Sequence, residues 1–122
     1  MGHHSESEIQ VAFMGWLKES YPAVNLVTFH VPNGGYRTAW AGKQLKKEGV
    51  KPGVPDIFMA VPSSSYHGLF IEFKYGYNKA SEAQLAMMAN LSKQGYICRV
   101  CYSLEAAQRI VENYLRIGVS HV

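Results

Sequence analysis

Apolar positions recur along this chain with two different periods, and the switches between them mark out its elements. Ile9, Phe13, Trp16 and Leu17 return at helical spacing, which predicts a helix over 6–19 with Pro22 just beyond it. Residues 24–31 are rich in β-formers and end at Pro32-Asn-Gly-Gly35, a strong turn signal. A polar helix is expected over 38–48, closed by Gly49. Two short apolar strands follow, 56–61 and 67–74, separated by the turn Pro62-Ser-Ser-Ser65. A helix over 81–94 is stopped by Gly95, and 96–102 reads as a strand. The last helix starts at Ser103, with Ala107, Ile110, Val111, Tyr114 and Leu115 along one side. The order α-β-α-β-β-α-β-α calls for an α/β fold, a mixed β-sheet with helices packed on it.

Composition narrows this pattern. The 122 residues form one domain, 1–122, and the 48% hydrophobic content supports a real core. Residues 1–5, opening Met-Gly-His-His, are read as disordered or tag-derived and given no function. No apolar run reaches the ~18 residues of a membrane span, and no basic start leads into a long apolar stretch. Twelve Lys+Arg against nine Asp+Glu leave a net charge of +3, compatible with a nucleic-acid partner without demanding one. Cys98 and Cys101 spell C-x-x-C, but an offset of three within a strand sends the thiols to opposite faces. With no second cysteine pair to complete a zinc site, they read as structural thiols in a reducing, cytoplasmic setting.

The chemistry lies in the strand Gly68-Leu-Phe-Ile-Glu-Phe-Lys74, where Glu72 and Lys74 interrupt an apolar run. Side chains alternate in a strand, so these two share a face, with Cα atoms ~6.6 Å apart. If the two short strands form a symmetric hairpin centred on position 64, Asp56 lies opposite Glu72 with Cβ atoms ~5 Å away. Carboxylates that close repel unless a positive charge lies between them. Mg²⁺ takes one or two carboxylates plus water and phosphate oxygens, and Lys74 stands beside the same spot. A metal-activated water, a neutralised phosphate and a compact ammonium are what phosphodiester hydrolysis needs. The opposing explanation is an edge hairpin with Glu72 and Lys74 in solvent. E-x-K alone is a weak signal, and on residue types alone the two explanations stand even.

Gly53-Val-Pro-Asp-Ile57, then Gly68-Leu-Phe-Ile-Glu-Phe-Lys74, then Gln84, then Gly95-Tyr96, resembles the virus-type replication-repair nuclease (VRR-NUC) domain of the PD-(D/E)xK nuclease superfamily. The match covers nearly the whole chain. The resemblance implies that Asp56 and Glu72 are metal ligands, that Lys74 is the catalytic lysine, and that the cofactor is Mg²⁺ or Mn²⁺. It also implies a glutamate from the first helix. Glu6 is preferred to Glu8 because it shares the inward face of Ile9. Gln84 completes the capping box Ser81-x-x-Gln84, and the resemblance places it at the active site as well. Small stand-alone members of the family are often phage or bacterial proteins that act as homodimers on branched DNA, so a Holliday-junction resolvase-like endonuclease is the expected activity.

Arg37, Lys43, Lys46, Lys47 and Lys51 crowd into fifteen positions opposed only by Glu48, immediately before the Asp56 motif. They are expected to contact the DNA backbone. Tyr36 and Trp40 interleave with them, either as stacking platforms or as core. His30 is expected to be structural, and Asn33-Gly34 to make a turn. Competing functions are a non-catalytic nucleic-acid-binding module on a nuclease scaffold, a protein-interaction domain, and a flap or restriction-type nuclease.

Overall fold

The computed structural model describes residues 2–32 and 39–119, the last two as backbone only. Its elements are α1 (Glu6–Ser20), α2 (Pro22–Asn25), β1 (Thr28–His30), α3 (Ala39–Lys47), β2 (Ile57–Met59), β3 (Gly68–Phe73), α4 (Glu82–Lys93), β4 (Tyr96–Cys101) and α5 (Leu104–Val119). The strands form one sheet in the order β1-β2-β3-β4. The β1–β2 and β2–β3 pairs are antiparallel, and β3–β4 is parallel. A parallel pair cannot be closed by a tight turn, and α4 supplies the crossover.

Alternation along the strands gives the sheet two unlike faces. Ile57, Met59, Leu69, Ile71, Phe73 and Cys101 point one way and join Ile9, Phe13 and Leu17 of α1 with Ala107, Val111 and Tyr114 of α5 in a single core. Phe13 leans on Phe73 with ring centroids 5.5 Å apart, which locks α1 over the middle of the sheet. Ser5 caps α1, its hydroxyl accepting from the Glu8 N–H at 3.1 Å. The hairpin closes at the Ser-rich turn, where Ser63 and Tyr66 exchange backbone hydrogen bonds of 3.1 and 3.0 Å. Ser63 and the Tyr114 hydroxyl then bind this turn to α5, through bonds to the Tyr114 and Val61 carbonyls.

The element order holds, with two departures. The first expected strand begins at Thr28 rather than Val24, because Pro22 fixes the first turn of α2 and the Thr28 hydroxyl donates to the Val24 carbonyl at 2.8 Å. Strand β2 ends short of Asp56. The Phe73 N–H that faces β2 donates to the Asp56 carboxylate at 2.8 Å, so a side chain takes the place of a ladder bond. The expected turn at Asn33-Gly34-Gly35 and the start of the third helix at Thr38 lie outside the described residues. Among the described residues no helix is long and apolar enough to cross a membrane.

Candidate active site

The hairpin register is the one that brings Asp56 to Glu72. Ile57 pairs with Ile71, Phe58 with Phe70 and Met59 with Leu69, so the next step outward sets Asp56 against Glu72. Strand β3 lies between β2 and β4, and all six of its residues are buried. Glu72 is 2% exposed, which rules out the solvent-facing edge hairpin. Lys74 follows on the same face, its ammonium 3.3 Å from Glu72 Oε2.

Two fixed groups orient the carboxylates. The Phe73 N–H holds Asp56 Oδ2. Gln84 Nε2 donates to Glu72 Oε2 at 2.9 Å, while Gln84 Oε1 accepts from the Ser81 N–H at 2.8 Å. The same side chain therefore completes the helix cap and buttresses Glu72 at once. Gly53 makes this closeness possible. It adopts φ +86, and a Cβ there would fall 2.3 Å from the Ala83 carbonyl oxygen, so only glycine lets the segment before Asp56 lie against the first turn of α4.

The electrostatics are those of charge under strain. Burial, followed by smaller effects that include Glu6, pushes the Asp56 carboxyl above the ordinary carboxylate range against the pull of the Phe73 N–H. Burial and then the Asp56 charge push Glu72 up as well, and Lys74 only partly offsets them. The second Glu72 oxygen, Oε1, is buried without any hydrogen-bond partner. Behind them the Cys101 thiol is pushed up to about 12 by burial and then by the two carboxylates, so it carries no thiolate at neutral pH. Cys98 and Cys101 are both free, one half-buried and one buried.

Glu6 reaches the rim of this site and Glu8 does not. Glu6, Gln10, His30, Pro32 and Asp56 line a cleft of about 440 Å³. Glu8 instead accepts from the His4 N–H at 2.7 Å and serves the start of its own helix. Glu6 Oε2 accepts from Asn78 Nδ2 at 3.0 Å, a partner that nothing in the sequence pattern singles out. His30 Nδ1 lies 2.8 Å from the Asp56 carbonyl oxygen. The same ring nitrogen lies 3.0 Å from Gln10 Nε2.

Lys43, Lys46 and Lys47 lie on α3, which buries none of its residues, and Lys51 follows in an exposed turn. Trp40 is 75% exposed, so it is not core. Arg37 and Tyr36 lie outside the described residues.

Among the described residues no group of three or more His, Cys, Asp and Glu side chains is placed to hold a metal ion, so Glu6 does not join Asp56 and Glu72 as a third ligand here. The donor set nonetheless fits a hard divalent cation. It offers two adjacent carboxylates and one buried carboxylate oxygen that lacks a partner, and Mg²⁺ keeps several water ligands of its own.

The family model for the VRR-NUC domain matches residues 4–105. Among solved structures, a VRR_NUC domain protein superposes with a TM-score of 0.83 at 27% identity, covering 97% of this chain and 93% of that one. A search of curated proteins found no match.

Proposed function

The chain belongs to the VRR-NUC domain family of nucleases, and on that premise we propose that it is a Mg²⁺- or Mn²⁺-dependent endonuclease that hydrolyses phosphodiester bonds in branched DNA, acting as a Holliday-junction resolvase-like homodimer. The observation that carries the catalytic part is Glu72 Oε1, buried and unpartnered on the strand face shared with Lys74 and next to Asp56. Lys74 and Gln84 both engage Oε2, and a buried carboxylate oxygen left without a hydrogen bond is costly unless a cation completes it.

Asp56 and Glu72 would hold the cation, with Glu6 adding negative charge from the rim of the cleft. When bound, Mg²⁺ or Mn²⁺ supplies Lewis-acid polarisation of the phosphate and lowers the pKa of a coordinated water. The protein's own groups do the rest. Lys74, tied to Glu72 by one ion pair, has further N–H donors for a non-bridging phosphate oxygen or for the attacking water. Gln84 and the Phe73 N–H each fix one carboxylate oxygen, so the remaining oxygens are presented without a search through rotamers. Lys43, Lys46, Lys47 and Lys51 on and after α3, with Arg37, would bind the DNA backbone. Two free thiols fit a reducing cytoplasm.

Branched DNA and a dimer belong together in this proposal. One chain carries one such centre, whereas resolving a four-way junction takes two cuts in opposed strands, and a two-fold dimer supplies both. The test compares linear duplex, flap, fork and four-way junction substrates on gels with Mg²⁺ and Mn²⁺, alongside light scattering of the protein. Paired cuts in the junction and a mass twice the 13.6 kDa of the chain are expected. A strict monomer, or a preference for single-ended flaps, would overturn the junction assignment and leave the nuclease centre standing.

A further inference from the structure

The segment that follows Lys74 has a shape the catalytic centre does not require. Tyr77 is fully exposed at 102%, with Tyr75 at 37% beside it. A large aromatic ring held wholly in water contributes nothing to the core. It is nonetheless carried on a tightly fixed turn. Gly76, at φ +62, occupies the first inner position, and the Asn78 N–H donates to the Tyr75 carbonyl at 3.1 Å. Asn78 is then fastened on two sides: its side chain donates to Glu6 on α1 at 3.0 Å, and its carbonyl accepts from the Tyr102 hydroxyl at 2.8 Å. The turn is braced against the rim of the cleft while its tip ring stays free.

We infer that Tyr77 is a substrate-positioning residue that stacks on a nucleobase next to the phosphate engaged by Lys74. The inference rests on the nuclease reading given above. Tyr77 lies three positions after Lys74, a reach of at most roughly 11 Å, so the tip lies within the span of the nucleotides flanking a phosphate at Lys74. Asn78 and Lys79, which follow Tyr77 directly in the chain, are both exposed and bring polar and positive groups to the same turn. That suits a polynucleotide, whose bases offer π-faces and whose backbone is anionic, better than the apolar centre of a protein interface. With the backbone of the turn fixed in advance, stacking has only the two side-chain torsions of the ring left to order. Inside intact duplex the base faces are already occupied by their neighbours, so the partner of Tyr77 is an unstacked nucleotide, such as one at a branch point or in a single-stranded arm.

The test uses the full chain with Ca²⁺ in place of Mg²⁺, and junction and fork DNA carrying 2-aminopurine at positions flanking the cut. Wild-type protein is expected to change the fluorescence of one such position, Tyr77→Phe to preserve that change, and Tyr77→Ala to abolish it. Tyr77→Ala should also weaken binding roughly 5- to 100-fold. With Mg²⁺ the same variant should raise KM more than it lowers kcat, because stacking holds ground state and transition state alike. An unchanged thermal midpoint will show that the exposed substitution leaves the fold intact. DNA binding that is insensitive to Tyr77→Ala overturns the inference alone. Failure of the wild type to bind any of the DNAs overturns it together with the nuclease reading. Loss of dimer mass in Tyr77→Ala with unaltered fluorescence would assign the ring to an interface between copies, and would also overturn it.

Discussion

Glu72 shows how much of the site one residue carries. Its Oε2 is shared by Lys74 and Gln84 while its Oε1 has no partner. Its carboxyl, like that of Asp56, is raised above its ordinary value, chiefly by burial. A carboxyl whose pKa is higher in the folded than in the unfolded chain favours folding at acidic pH and loses that contribution as pH rises through the folded value. In chelator, the melting temperature should therefore fall as pH climbs from the ordinary carboxylate range towards neutrality. Glu72→Gln should flatten this fall and melt higher than wild type at pH 7. Mn²⁺ should raise the wild-type midpoint and leave that of Glu72→Gln nearly unchanged. Scanning calorimetry across pH, with and without metal, reads all three, and a wild-type midpoint indifferent to Mn²⁺ would remove the cation from this site. Gly53 invites a second substitution. Gly53→Ala should cost at least the ~1–2 kcal/mol of a left-handed alanine, plus the clash with Ala83, and should depress cleavage by pushing the segment that carries Asp56 away from the first turn of α4. Denaturant unfolding checks the first effect and a cleavage assay the second.

At the scale of elements, periodicity was a good guide wherever a face is buried. The apolar spacing of α1 and α5 and the alternation in β3 exist because each packs on the core, and those elements appear where the pattern puts them. The symmetric hairpin was legible for the same reason: a slip of one residue would drive Ile57 and Ile71 out of the core. Val24 and Asn25 were not legible as a helical turn, since β-propensity at Val24 is overruled by Pro22 and by the Thr28 hydroxyl. Asn78 escaped because its role depends on a partner 72 residues away. Helix α3 is a different case, polar by pattern and without a buried residue in the fold. A helix with no fully buried residue draws little stability from tertiary packing. If Lys43, Lys46 and Lys47 bind phosphates, converting them to Gln should weaken binding to all DNA sequences alike. The log–log salt slope should flatten by ~0.9 for each phosphate that is no longer neutralised. Fluorescence anisotropy over a salt series measures this, and an unaltered slope would mean that α3 does not touch the DNA backbone.

For the whole molecule, the sheet is a device for joining distant stretches of chain. It sets Asp56 from the start of the hairpin beside Glu72 and Lys74 from its end, and the crossover helix returns Gln84 to them. Helix α1 brings Glu6 to the rim across the core packing of Phe13 on Phe73. Spacing was enough to put Asp56, Glu72 and Lys74 together, because strand alternation and hairpin symmetry are local rules, whereas residue types alone left their role even and the family resemblance supplied it. The orphaned Glu72 oxygen was not readable, because burial is a property of the assembled layers. The most direct measurement is cleavage of end-labelled four-way junction DNA by wild-type and Glu72→Gln proteins, each with Mg²⁺ and with excess chelator. Cuts are expected only from wild type with Mg²⁺, with Glu72→Gln reduced at least a hundredfold while its circular dichroism matches wild type. Robust wild-type cleavage in chelator, or full activity in Glu72→Gln, would contradict the assignment of this centre.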